Sequence, residues 1–335
     1  MINKGGIQLL SKQFVKDLKI GSQVQAQFVV ADVKELSYSA PSKSGEYFVK
    51  LLLGDISGTI KGIIWDKSMV TEPIRPDDVL LVSGEVTDYY GPQLVVNYFQ
   101  KLDKDKINRH HFQPSSSRDS REMWCSLLRI TSQAVSNPYL NKLLQVIFDD
   151  QKILDRFMLA PAAKTIHHNY LGGLLEHTLE VAEICLKLIE LYPEKLDGSL
   201  LVTGSVLHDL GKIEEYDLDS FTFQQTDRGR LLGHISIGAG MIREKVQEVS
   251  GFPDPLMLAL EHMILSHHGE KEWGSPEVPQ IFEAFALFHA DLLSARMKQF
   301  FHVMDKNHQK DSTWTEWDRF LGRRVFTGFY SVTQD

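Results

Sequence analysis

At about residue 121 the apolar rhythm of the chain changes from period two to period 3.6, so its two parts cannot share one repeating architecture. Before that point the runs are short, rich in β-branched residues and bounded by glycine and proline. Residues 23–33 read QVQAQFVVADV with partial alternation, and 47–53, 59–65, 79–87 and 93–101 are further strands. The segments Gly54-Asp55-Ile56-Ser57-Gly58 and Asp88-Tyr89-Tyr90-Gly91-Pro92 lie between strand pairs and have the composition of hairpin turns.

Five strands in about 80 residues predict a small closed barrel. The oligonucleotide-binding (OB) type is the commonest five-stranded choice, with an SH3-like barrel as its competitor. Residues 106–121 carry a Pro-Ser-Ser-Ser core and read as a polar linker between a barrel domain at 1–105 and a second domain. From 122 to 310 the pattern is all-helical. Asn137-Pro138 has the form of an N-cap followed by proline at the first helical position. Residues 171–191, 199–207, 233–249, 255–267 and 278–301 are further helices, and 311–335 reads as a polar C-terminal tail. The expected fold class is therefore multidomain, β then all-α.

Bulk properties narrow the function classes. No apolar run reaches the 18 or so residues that cross a bilayer. The opening MINKGGIQLLSKQF has no long apolar core and no small-residue cleavage site, so no signal peptide and no membrane partner are expected. Cys125 and Cys185 lie in separate helix-like stretches and read as buried free thiols, consistent with a reducing cytoplasm. The net charge of −8 argues against a simple nucleic-acid coat protein. The charge is uneven: residues 1–121 hold 16 Lys+Arg against 14 Asp+Glu, leaving 20 against 30 for the helical part. If that acidic part handles phosphate, it needs another source of positive charge, and bound metal ions supply one.

The histidines carry the chemistry. There are 13, and ten of them lie between His167 and His302. His177 sits in a long helix, His208-Asp209 ends one, His234 follows a glycine, His267-His268 precede Gly269, and Asp291 lies in FALFHADLLSA. Imidazole and carboxylate suit Fe, Mn, Co, Ni and Zn, and with no cysteine in the cluster a thiolate zinc site is excluded. A His-Asp pair at a helix end lets two side chains reach one point. A carboxylate can bridge two ions, which makes Asp209 the natural bridge. Asp291 in an apolar stretch would be a costly unpaired acid without a cationic partner.

The order His177, His208-Asp209, Asp291 resembles the HD superfamily of metal-dependent phosphohydrolases, and the added His234 and His267-His268 resemble its binuclear branch. The segments YLGGLLEHTLE, VLHDLGK, LGHISI and LSHHGEKEWGSP are similar more narrowly to the YhaM family of bacterial 3′-5′ exoribonucleases, which join an OB domain to an HD domain. The resemblance implies an enzyme, a metal-dependent phosphodiesterase that hydrolyses single-stranded RNA to nucleoside 5′-monophosphates, with single-stranded DNA as a further candidate substrate. It implies two divalent ions, with manganese first and Co, Fe, Ni or Zn as alternatives. His177, His208, Asp209 and Asp291 would hold one ion; Asp209, His234, His267 and His268 the other. Lys212, with Asp209, would be catalytic, contacting phosphate. His167, His168 and Trp273 are candidates for the substrate pocket, with His262 behind a ligand imidazole.

In the barrel, Lys50, Tyr89 and Tyr90 are candidate nucleic-acid contacts, whereas Trp65 is expected to fill the core. Three other readings remain open at this level. One is a nucleotide or dinucleotide phosphohydrolase whose barrel serves homo-oligomeric assembly. Another is a DNA-binding replication or transcription accessory factor. The third is a di-iron oxygenase on the same helical scaffold.

Overall fold

The computed structural model describes residues 13–38, 45–163, 170–221, 223–305, 312–319 and 321–329. The chain divides into two compact units, one up to Pro114 together with Asp219–Thr222, the other comprising the remainder.

The first unit is a closed five-stranded barrel with strand order β1-β2-β3-β5-β4. β1 (Gln23–Ser37) is long enough to serve two neighbours: its first half pairs with β4 (Val79–Asp88) and its second half with β2 (Tyr47–Asp55). A register shift between Val30 and Asp32 marks the change of partner, as bulges do where a strand bends. β2 and β3 (Gly58–Ile64) form a hairpin, and β3 closes onto β5 (Pro92–Lys101) in parallel, with Lys61 opposite Gln93. This is the OB arrangement. Alternate residues fill the interior, among them Phe28, Val30, Leu53, Ile64, Leu80, Val82 and Leu94, all fully buried. Each such side chain contributes roughly 1.5–3 kcal/mol by leaving water.

Two features of this unit differ from the sequence reading. Trp65 is not in the core. It is 45% exposed just beyond the end of β3, where its ring lies 6.1 Å from Tyr38 and 5.3 Å from Phe48. The alternation explains why: Ile60 and Ile64 already occupy the inward positions, so residue 65 falls on the outer face. The stretch read as a polar linker also contains buried residues, Phe112 and Gln113.

The second unit holds nine α-helices among the described residues: α1 (Ser120–Ala134), α2 (Pro138–Phe148), α3 (Gln151–Leu159), α4 (Gly173–Leu191), α5 (Gly198–Leu207), α6 (Lys212–Glu215), α7 (Asp227–Val246), α8 (Asp254–Ser266) and α9 (Phe282–Asp305). Their starts follow local chemistry. Asp119, Asn137, Asp150, Asp197 and Thr226 each accept a backbone N–H from the first turn of α1, α2, α3, α5 and α7, satisfying donors that a helix leaves open. Every residue of α5 after Gly198 is buried, as expected for a helix that is apolar all round. It runs through the middle of a core that includes Leu143, Leu179, Ala182, Leu201, Met263 and Leu287, so the residues after its last turn are delivered inside the domain.

Of the two cysteines, Cys185 is buried as expected, but Cys125 is exposed on α1. The segment after α9 is not a bare polar tail: Trp314 and Asp318 form isolated bridges with Phe326 and Arg323, and Val325 packs on Val303 and Met304. No helix among the described residues is long and apolar enough to cross a membrane.

Candidate metal centre

His208 is the C-cap of α5 and Asp209 the next residue, so both enter the core where the helix ends. α6 begins immediately after, and Gly211 makes that possible: a Cβ there would lie 2.0 Å from the carbonyl oxygen of His234. That contact brings α6 against α7, which is kinked at Gly233 directly before His234. His267 is the C-cap of α8, and Gly269 (φ 78) turns the chain beneath Phe288, where a Cβ would come within 2.2 Å of the ring. His177 comes from the first turns of α4 and Asp291 from the middle of α9.

These elements bring the expected residues to one place. The donor atoms of His177, His208 and Asp209 lie within 4.8 Å of one another, and so do those of His234, His267 and His268. Asp209 stands between the two groups. Its Oδ2 is 3.6 Å from His177 Nε2 and 3.4 Å from His208 Nε2; its Oδ1 is 3.3 Å from His234 Nε2 and 3.6 Å from His267 Nε2. Asp291 Oδ1 is 3.0 Å from His177 Nε2.

The outer ring nitrogens fix which lone pairs face inward. His208 Nδ1 donates to the Ser205 carbonyl at 2.8 Å and His267 Nδ1 to the Ile264 carbonyl at 2.6 Å. His177 Nδ1 donates to Ser294 Oγ at 3.2 Å, which in turn donates to Glu180 at 2.9 Å. His234 Nδ1 faces the Glu215 carboxylate at 3.3 Å. All four rings therefore present Nε2 to the centre, the arrangement that orients imidazole ligands.

Asp209 Oδ1, His234 Nε2 and His267 Nε2 are buried and make no hydrogen bond. An unsatisfied buried polar atom costs about 1–3 kcal/mol, and three of them converging on one point form a site shaped for a cation. The electrostatics agree. Burial would raise the Asp209 carboxyl, but the charges of Lys212 and His208 hold it well below the usual carboxylate range. Burial would also raise Asp291, and its hydrogen bond and charge interaction with His177 outweigh that and lower it. His268 is pushed down to about 3 by burial and by neighbouring His267 and His234, so its ring is neutral. Lys212 Nζ donates to Asp209 Oδ2 at 2.6 Å.

Lys212, Asp209, His177, His267, His268 and Asp291 line a cavity of about 230 Å³, and Trp273, with Phe288, forms part of its wall. His167 and His168 lie outside the described residues. His262 is not behind a ligand imidazole; its Nε2 accepts the Gln280 backbone N–H at 2.9 Å. Lys50, Tyr89 and Tyr90 belong to the barrel. Lys50 is exposed with its ammonium 5.8 Å from the Phe48 ring, and Tyr90 is 92% exposed at the β4–β5 turn with Tyr89 packed edge-on at 5.2 Å.

Three residues behind the ligands went unread in the sequence: Glu215, Glu180 and Ser294. A signal was present for two of them, since Glu180 is three residues after His177 on α4 and Ser294 three after Asp291 on α9, on the same helix faces.

Comparison with known proteins gives consistent matches. Residues 174–296 match the HD domain family model. A 3′-5′ exoribonuclease YhaM of Geobacillus sp. (strain WCH70) is 31% identical over 293 residues, covering 86% of this chain and 87% of that protein. The proteins of the same name from Bacillus subtilis (strain 168) and Bacillus pumilus (strain SAFR-032) are each 30% identical, covering 86% and 92% of this chain and 90% and 95% of theirs.

Proposed function

The chain belongs to the YhaM family of 3′-5′ exoribonucleases, and from that premise we propose that it removes nucleotides one at a time from the 3′ end of single-stranded RNA by metal-dependent hydrolysis. The observation that carries the reading is Asp209, whose two oxygens each face a separate cluster of imidazoles. His177, His208, Asp209 and Asp291 would hold one divalent ion, and Asp209, His234, His267 and His268 the other. Two such ions, manganese first among the candidates, would supply acidified water and neutralisation of phosphate charge.

The protein's own groups position the substrate. Lys212 lines the cavity, so its ammonium can meet a phosphate oxygen where charge develops. Trp273 offers a ring to the terminal base. His167 and His168 remain candidates for the terminal ribose or phosphate. In the barrel, Lys50, Tyr89 and Tyr90 combine a cation with exposed rings, as modules for single strands do, with single-stranded DNA as a second substrate. A role confined to small nucleotides would differ in showing no dependence on strand length, which an assay reads directly.

The test is metal content and turnover together. The purified protein should bind two Mn²⁺ per chain, and Asp209→Ala should lose both most of the metal and RNA hydrolysis. Full activity of Asp209→Ala at ordinary metal concentration would overturn the assignment.

A further inference from the structure

The cavity wall does not end at Trp273. From that residue a series of rings continues along the outside of α9. Trp273 lies 6.2 Å from Phe288, Phe288 4.6 Å from His289, and His289 4.4 Å from Phe285. Phe288 is buried and lines the cavity, but Trp273 and Phe285 are 51% and 52% exposed and His289 is exposed as well. Positions 285, 288 and 289 share one helix face, so the α9 backbone sets the spacing of these three rings.

Core packing does not account for the exposed rings of Phe285 and His289. The inward face of α9 is already supplied by Ala284, Leu287 and Ala290, which are buried. Phe285 and His289 instead meet edge-on in contact with solvent, continuous at one end with the wall of the proposed reaction cavity.

We infer that this series is a stacking track for the bases of a single strand whose 3′ end occupies the cavity. The inference rests on reading that cavity as the site of phosphodiester cleavage. The ligand class is unpaired nucleobases, because stacked bases match a row of exposed rings, whereas a duplex keeps its base faces covered. Trp273 would meet the base nearest the cut, and His289 and Phe285 the bases upstream of it. Stacking on a ring needs no release of counterions, so this contribution should be insensitive to salt, unlike contacts between lysine and phosphate.

The test uses the full-length, metal-loaded protein, with oligoadenylates two and six nucleotides long as substrates. Base-on-ring stacking is strong enough that Phe285→Ala and His289→Ala should each raise KM for the hexanucleotide by about tenfold. The kcat of both variants and the dinucleotide KM of Phe285→Ala, whose ring lies furthest from the cavity, should stay within twofold of the parent, and Phe285→Tyr should keep the parent KM. The ratio of parent to variant KM should be the same at low and high salt. An unchanged hexanucleotide KM, or an equal loss on both lengths in Phe285→Ala, would overturn the track while leaving the cleavage reading intact. Failure of the parent protein to cleave either oligonucleotide would overturn the cleavage reading and the track with it.

Discussion

Glu215 offers a quantitative test of the two-site geometry. Its buried carboxylate faces His234 Nδ1 at 3.3 Å, and its other oxygen accepts from Gln225 Nε2 at 3.2 Å. A hydrogen bond to a charged group contributes about 1.5–3 kcal/mol, roughly twice a neutral one. Glu215→Gln keeps an oxygen in place but removes the charge, so it should lose about half of that, roughly 0.8–1.5 kcal/mol. At 1.4 kcal/mol per decade this is about 4- to 12-fold in metal affinity. Glu215→Ala loses the whole interaction and should cost about 10- to 100-fold, the range seen when a partner behind a ligand imidazole is removed. The loss should fall on one ion only, because Glu215 touches His234 and not His177 or His208. Calorimetric titration of the metal-stripped protein with Mn²⁺ resolves the two sites. One Kd should rise by these factors while the other moves less than threefold. Equal weakening of both sites, or none, would refute the division into two half-sites. Ser294→Ala is the mirror experiment and should weaken the other ion, through His177.

Three other tests address separate parts of the molecule. Lys50→Ala should weaken binding of long RNA and reduce the dependence of log K on log salt by about one unit, as read by anisotropy at several salt concentrations; an unchanged slope would remove Lys50 from the interface. Gly211→Ala should destabilise the helical unit by several kcal/mol or prevent folding, because its Cβ would have to overlap a backbone oxygen; a melting temperature like that of the parent would show that α6 and α7 do not depend on this contact. The Glu176 carboxyl would be raised by burial, but Lys298, Ser116 and Tyr170 hold it below its ordinary value. Its contribution to stability is therefore present above the unfolded pKa and lost as pH falls through the lower folded one. Glu176→Gln should accordingly narrow its stability gap to the parent as pH is taken below about 4, measured by urea midpoints; a gap that widens in acid would contradict this.

The fold was legible where local chemistry and burial agree. All five strands and the Asn137-Pro138 helix start can be read because turns and caps announce themselves in the residues that form them. Trp65 could not be placed from composition, since an aromatic at a strand end fits either face and only the register with Phe48 decides it. Phe112 and Gln113 sit among linker-like residues, and their burial comes from tertiary contacts that no local pattern encodes. At the centre, His177, His208, Asp209, His234 and His267 stand out because imidazole and carboxylate at helix ends are chemically conspicuous. Glu215, Glu180 and Ser294 do not, as an acid or serine in a helix is ordinary until a histidine is found behind it. His262 shows the reverse error: one turn from a ligand in sequence, it faces the Gln280 loop in space.

The most direct measurement of the central claim is the product pattern on a 5′-labelled, single-stranded RNA with Mn²⁺ present, run beside the same RNA bearing a 3′-phosphate and a blunt hairpin. Metal-dependent trimming from the 3′ end predicts a descending ladder for the first substrate, slow decay of the other two, and no products once a chelator has removed the metal. Cuts at internal positions, or release of the 5′ label as a mononucleotide at the earliest times, would contradict it.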